Sequence, residues 1–151
     1  MNNSIENNLL ESISPLYTLS VTSKLSEVPS HSIRQYIDKG LIIPYKKYSK
    51  RHLFSDVDIL RLRYIRKQLD EQGLNIAGIK ALMALIPCWA IRSCSTKERN
   101  LCHAYQSVTH PCWEASEKGS ECKNMNCREC NIYRIYWNNQ NLKSLLIPLI
   151  K

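Results

Sequence analysis

Phenylalanine occurs once in the 151 residues, at Phe54, and glycine only four times. Hydrophobic residues make up 44% of the chain, enough for one or two small cores but not for a large one. Apolar runs of the ~18–20 residues that a bilayer span requires are missing. The stretch from Leu145 to Ile150 is short and broken by Pro148. Residues 1–16 lack basic side chains and carry only Glu6 and Glu11. Their Asn-rich start has no apolar h-region, which argues against a secretory signal. A glycine-rich phosphate loop, the zinc-protease helix motif and a credible nucleophile–base pair are all wanting, so no enzymatic activity is expected. Cysteine is absent before residue 88.

What is there is basic. Twenty-one Lys and Arg face 13 Asp and Glu, a formal charge of +8. Residues 17–86 hold 12 basic and 6 acidic side chains, and residues 87–151 hold 9 and 5. The excess therefore sits mainly in the middle of the chain. Clustered Lys and Arg favour a polyanionic partner, because they release counterions from phosphates.

The hydrophobic pattern divides the chain. Residues 1–15 form a polar lead-in expected to be disordered, ending at Pro15. A short strand is predicted over residues 16–19, then a helix over Ser20–Ser26 with Val21 and Leu25 turned inward at i, i+4. Pro29 marks a turn. Ser30 is placed to cap a second helix running to Lys39, with Ile33 and Ile37 inward and Gly40 at its end. Leu41–Ile43 and Leu53–Phe54 read as paired strands, joined by the basic, aromatic segment Pro44–Arg51 with Lys46, Lys47 and Lys50. Ser55, with Asp56 and Asp58 behind it, starts a helix to about Gln72 whose stripe is Ile59, Leu62, Ile65 and Leu69. Gly73 stops it. Asn75 caps another helix with Ile76, Ile79, Leu82 and Met83 on one face, and Pro87 closes the segment. Helix, turn, helix, hairpin, two helices is the order of a winged helix-turn-helix. In that arrangement the second helix enters the major groove and the wing reaches adjacent backbone.

Several short motifs in this order carry a resemblance. They are Tyr17-Thr18-Leu19, Ser30-x-x-Ile33-Arg34-Gln35-Tyr36, Gly40-Leu41-Ile42-x-Pro44, Arg51-x-x-Phe54-Ser55-x-x-Asp58 and Gly73-Leu74-Asn75-Ile76-Ala77-Gly78-Ile79. Residues 16–86 resemble the MerR family of transcription regulators, with wording closest to its heat-shock-repressor and nitrogen-regulator branch. The fold class expected is mainly α, a MerR-type winged helix-turn-helix followed by a small cysteine-rich segment. The resemblance implies a DNA-contact set. Arg34 stands at the family's groove-facing arginine, Tyr36 at its phosphate-holding aromatic and Arg51 at its wing arginine. Thr18, Ser30, His31, Ser32 and Gln35 flank them at the helix starts. Arg can pair bidentately with guanine, and a Tyr hydroxyl can position on phosphate. Two features depart from the family: the hairpin tip has no glycine, and Pro87 falls where a long dimerisation helix is usual.

Residues 87–133 contain an imperfect tandem repeat. One copy opens with Pro87-Cys88-Trp89, continues through Cys94, and closes with Cys102-x-x-Tyr105. The other opens with Pro111-Cys112-Trp113, continues through Cys122 and Cys127, and closes with Cys130-x-x-Tyr133. Clustered cysteines in a reducing compartment read as metal or redox sites before disulfides. Thiolates suit zinc or an iron–sulfur cluster, and redox-active thiols without metal remain a third reading. Seven Cys do not fill two four-thiolate sites, so either His103 or His110 is a candidate eighth ligand or there is only one site. Trp89 and Trp113 are expected as local core. In the tail, residues 134–151, Leu142, Leu145, Leu146, Leu149 and Ile150 suit docking on a partner subunit or on the chain's own core.

The resulting expectation is a cytoplasmic, nucleoid-associated homodimer. It would bind operator DNA through residues 16–86, act on RNA polymerase indirectly, and sense metal or redox state through Cys88–Cys130. Two alternatives compete: a MerR-like interaction module of the chaperone-modulator or excision-factor kind, and a metal-handling protein. The basic hairpin and Arg34 favour DNA.

Overall fold

The structure is a computed structural model and describes residues 13–46, 51–135 and 142–150. The chain falls into two compact units, Met1–Gly73 and Leu74–Lys151.

In the first unit, β1 (Tyr17–Thr18) leads directly into α1 (Leu19–Ser26), and the Thr18 side chain accepts from the Val21 amide. Thr22 and Ser26 are the buried face of α1, while Val21 and Leu25, expected inward, are each 42% exposed. Because Thr18 is the cap, the helix starts a residue earlier than periodicity suggested, and the inward face falls on small polar residues. α1 ends on Glu27, held at a φ of 60° in the left-handed region. Ser26 and Ser23 tie the turn down through the amide and carbonyl of Val28. Val28 itself is buried. α2 (Ser30–Asp38) follows after Pro29, whose carbonyl accepts from the amides of Ser32 and Ile33. Ser30 is therefore the first helical residue and not the cap. Gly40, with a φ of 77°, reverses the chain at the end of α2, donating to Ile37 while Leu41 donates to Tyr36. This is the helix-terminating geometry glycine accepts without a Cβ clash.

The expected strand at Leu41–Ile43 is not formed. Leu41 and Ile42 are instead fully buried core residues, and pairing begins at β2 (Tyr45–Lys46). β3 (His52–Phe54) pairs antiparallel with both neighbours in a sheet of order β1-β3-β2, with Thr18 opposite Leu53 and Lys46 opposite His52. The hairpin tip residues Lys47 and Lys50 lie outside the described residues, as does the lead-in up to residue 12.

α3 (Asp56–Asp70) starts on a reciprocal capping box between Ser55 and Asp58 and buries Ile59, Leu62 and Ile65, as its stripe predicts. It also buries Arg61 completely, the Nε donating to the Leu41 carbonyl at 2.8 Å. Arg63 donates to the Leu25 carbonyl at 2.6 Å. Two arginines of α3 thus bind the loop after α2 and the exit of α1, where C-terminal carbonyls favour cations. Gly73, with a φ of 69°, ends the unit.

The second unit opens with α4 (Ile76–Ala84), capped by Asn75, whose Ile79 and Met83 are buried together with Ile86. Short helices follow: α5 (Cys88–Ile91), α6 (Thr96–Asn100), α7 (His103–Gln106), α8 (Ser120–Lys123), α9 (Asn131–Ile135) and α10 (Leu142–Leu146). Between and after them run single 3-10 turns at Cys112–Glu114, Cys127–Glu129 and Ile147–Leu149. The two sequence repeats share one local contact. Trp89 meets Tyr105 edge-on at 5.4 Å, and Trp113 meets Tyr133 edge-on at 5.0 Å. Each Pro-Cys-Trp is thereby bracketed to its own Cys-x-x-Tyr. Such pairs add about 0.5–1.5 kcal/mol beyond the area they bury.

Candidate nucleic-acid interface and cysteine chamber

α2 divides cleanly by face. Ile33 and Tyr36 point into the core, while His31, Arg34, Gln35 and Asp38 are exposed at i, i+3, i+4 and i+7. Arg34 lies at the edge of an open cleft of about 540 Å³ lined by Thr18, Leu19, Ser20, Ser30, Arg34, Arg51 and His52. The register explains the convergence: β1 delivers Thr18 beside β3, and Arg51 and His52 enter the same strand from the hairpin. Four residues expected at DNA, Thr18, Ser30, Arg34 and Arg51, are therefore brought around one opening by three separate elements. His31, Gln35 and Lys46 are exposed nearby in the chain but do not line it.

Two of the residues expected at DNA are buried. Tyr36 is only 2% exposed and Ser32 only 7%. They fall on the inward side of α2, one turn and one residue away from its exposed stripe. Tyr36 is the first cause, ahead of the nearby Asp70 carboxylate, of the raised Arg66 pKa. Tyr36 thus packs α2 against the core. His52, Ser20 and Leu19 were missed. Only His52 carried a signal, its place next to Arg51 at the start of a strand.

The second site lies wholly within residues 88–133. All seven cysteines are half-buried and carry free thiols, and all seven line one enclosed space of about 50 Å³. Burial raises the Cys88 thiol to about 11, followed by the influence of Cys102, Cys122 and Cys94. Burial likewise raises Cys112 to about 12, with Cys88, Cys130 and Cys127 as its thiol neighbours. Cys122 is raised too, first by burial, while Arg92 opposes the shift and Cys130, Cys102 and Cys94 add to it. Cys122 is thus influenced by Cys130 of its own copy ahead of Cys102 and Cys94 of the first. Lys118 donates to the Cys127 sulfur at 3.3 Å. His103 and His110 do not line the space. His103 meets Ser116 and Glu117, and His110 meets Thr109. Neither histidine is an eighth ligand in this arrangement. Among the described residues no three His, Cys, Asp or Glu side chains converge closely enough to hold one metal ion.

Comparison with known proteins matches residues 17–86 to the family described as MerR HTH family regulatory protein. Similar proteins include heat shock protein HspR of Streptomyces coelicolor, 34% identical over 71 residues, which cover 47% of this chain and 47% of that protein. The HTH-type transcriptional regulators GlnR of Bacillus anthracis and Bacillus cereus are 35% identical over 71 residues, covering 47% of this chain and 54% of theirs. The chain spans about half the length of the curated relatives it matches. Residues 17–86 are a MerR-type helix-turn-helix domain. The family match ends at Ile86, one residue before the first Pro-Cys-Trp.

Proposed function

We propose that this protein is a homodimeric, sequence-specific regulator of transcription that binds double-stranded DNA and reports metal or redox state through its cysteine chamber. The observation that carries the reading is the gathering of Arg34, Arg51, Thr18 and Ser30 around one open cleft at the start of α2. Arg34 is the base reader, with a free guanidinium on the exposed face of the helix that this motif places in the major groove. Arg51, and Lys46 beside it in the hairpin, hold backbone phosphates. RNA polymerase is affected indirectly, through occupancy of the operator. Among the described residues no helix is long and apolar enough to cross a membrane.

Dimerisation draws on the second unit. Ile147 and Ile150, in the apolar stretch after α10, are 66% and 76% exposed. That is an unusual cost for adjacent aliphatics unless a second subunit covers them. Sensing operates as a population shift: occupancy of the chamber favours one arrangement of the paired reading heads over another. Selection of genomic fragments by the full-length protein tests the reading. The expected result is enrichment of a pseudo-palindrome with two half-sites about one or two helical turns apart. Enrichment of single half-sites would remove the dimer, and no enriched sequence at all would remove the regulator.

A further inference from the structure

Lys118 donates to the Cys127 sulfur at 3.3 Å, in a part-buried position on the chamber wall. An ammonium on sulfur favours the thiolate, the form of cysteine that attacks electrophiles. Elsewhere on the wall burial works the other way. It pushes the Cys88 and Cys112 thiols up to about 11 and about 12 and raises Cys122, so these three stay protonated at neutral pH.

Cys130 is placed to answer Cys127. The Cys127–Glu129 segment is a 3-10 turn, closed by the Cys130 amide donating to the Cys127 carbonyl at 3.1 Å. Such a turn takes three residues and rises about 2 Å for each, so residues i and i+3 stand one above the other about 6 Å apart. That separation falls inside the Cα range of a disulfide, roughly 4.4–6.8 Å. Both cysteines line the same space. Joining them asks for side-chain rotation and leaves the backbone turn in place.

The space also limits what can reach them. Its volume of about 50 Å³ admits a guest of a few heavy atoms and excludes a peptide or a nucleotide. Arg92 and Arg99 line it, and the Nε of each is buried without a hydrogen-bond partner. Unmatched buried donors favour a guest that carries acceptor oxygens.

We propose that Cys127 and Cys130 are a redox pair: Cys127, with Lys118 on its sulfur, is oxidised by hydrogen peroxide, and Cys130 closes a disulfide on it. The inference rests on the sensing role proposed above and names its redox chemistry. The Cys127 thiolate attacks one peroxide oxygen, the O–O bond breaks, and the departing hydroxide takes up the proton that Cys127 gave away. Cys130 then attacks the sulfenic sulfur, the S–S bond forms, the S–O bond breaks, and a second water leaves with the Cys130 proton. Two thiols lose two electrons and peroxide gains them. The bridge fixes the turn from which α9 starts, where the Arg134 amide donates to the Cys130 carbonyl at 3.2 Å. α9 carries the buried Ile132 and Tyr133, and Tyr133 holds Trp113. Oxidation is thereby felt by the core of the second unit.

The test treats reduced full-length protein with hydrogen peroxide, alkylates the remaining thiols and maps them by mass spectrometry. Trypsin cuts after Arg128, between the two cysteines, so the expected product is residues 124–128 disulfide-linked to residues 129–134. The other five cysteines should be alkylated. Cys130→Ser should leave Cys127 as a sulfenic acid that a 1,3-dione traps. Lys118→Met should slow iodoacetamide at Cys127 by about tenfold, the weight of one charge-assisted hydrogen bond. It should leave Cys94 and Cys102 at their wild-type rates, and Lys118→Arg should restore most of the Cys127 rate. Wild-type protein in which Cys127 and Cys130 stay alkylatable while other thiols oxidise would overturn the pair. A sulfenic acid at Cys130 in place of Cys127 would overturn the assignment of roles. A bridge that forms and leaves DNA affinity untouched would remove the sensing role while the redox pair stands, so the two failures are distinguishable.

Discussion

Arg34 and Arg51 both line the cleft but stand on different elements, and their side chains are predicted to fail differently when removed. Arg34→Ala should cost about 1–3 kcal/mol on the selected operator and relax discrimination at the guanine it reads. Arg51→Ala should weaken binding to every sequence alike and reduce the salt slope by about one. Fluorescence titration of operator and scrambled duplex at several salt concentrations separates the two. Equal losses on both duplexes for Arg34→Ala would make it a phosphate contact. The exposure of Arg34 was legible because its motif and its helical phase agree. The burial of Tyr36 was not, because the motif drew it toward phosphate while the phase of α2 packs it with Ile33 in the core. Arg61 left no trace in the pattern at all. A buried arginine looks like any exposed helix arginine until the Leu41 carbonyl that receives it is known.

At the scale of elements, local rules worked where a cap was unambiguous. Ser55 with Asp58 and Asn75 before Ile76 started α3 and α4 at the expected residues. Ser55→Ala should therefore destabilise the first unit by about 1 kcal/mol. The loss should be visible as a lower midpoint in urea with an unchanged slope; no change would mean the buried Asp58 finds another donor. Local rules failed where tertiary packing decided. Leu41-Ile42-Ile43 has strand composition, yet it fills the core behind α2 because Gly40 turns it there and Arg61 holds it. Val21 and Leu25 obeyed the i, i+4 rule on the wrong side, since the capping Thr18 and the paired β1 set the rotation of α1. The doubled Pro-Cys-Trp was visible as sequence. That its copies form matching Trp–Tyr brackets around a common chamber was not, because spacing alone does not say which thiols meet.

The whole molecule joins a basic MerR-type domain, recognisable from end to end in its motifs, to a unit of short helices in which seven thiols line one space. Among the described residues beyond Ile86, its buried apolar residues are Pro87, Ala104, Pro111, Ile132 and Tyr133. The proposed reading gives this small core a staple. On this account the staple is also the signal, because whatever joins the thiols changes how firmly the second unit is built and thus how the paired heads are held. The most direct measurement is operator affinity of the full-length protein, with its thiols reduced and oxidised, at one fixed salt concentration. The account predicts a difference of about fivefold or more, the usual range for coupled sites. Identical affinities in the two states would contradict it.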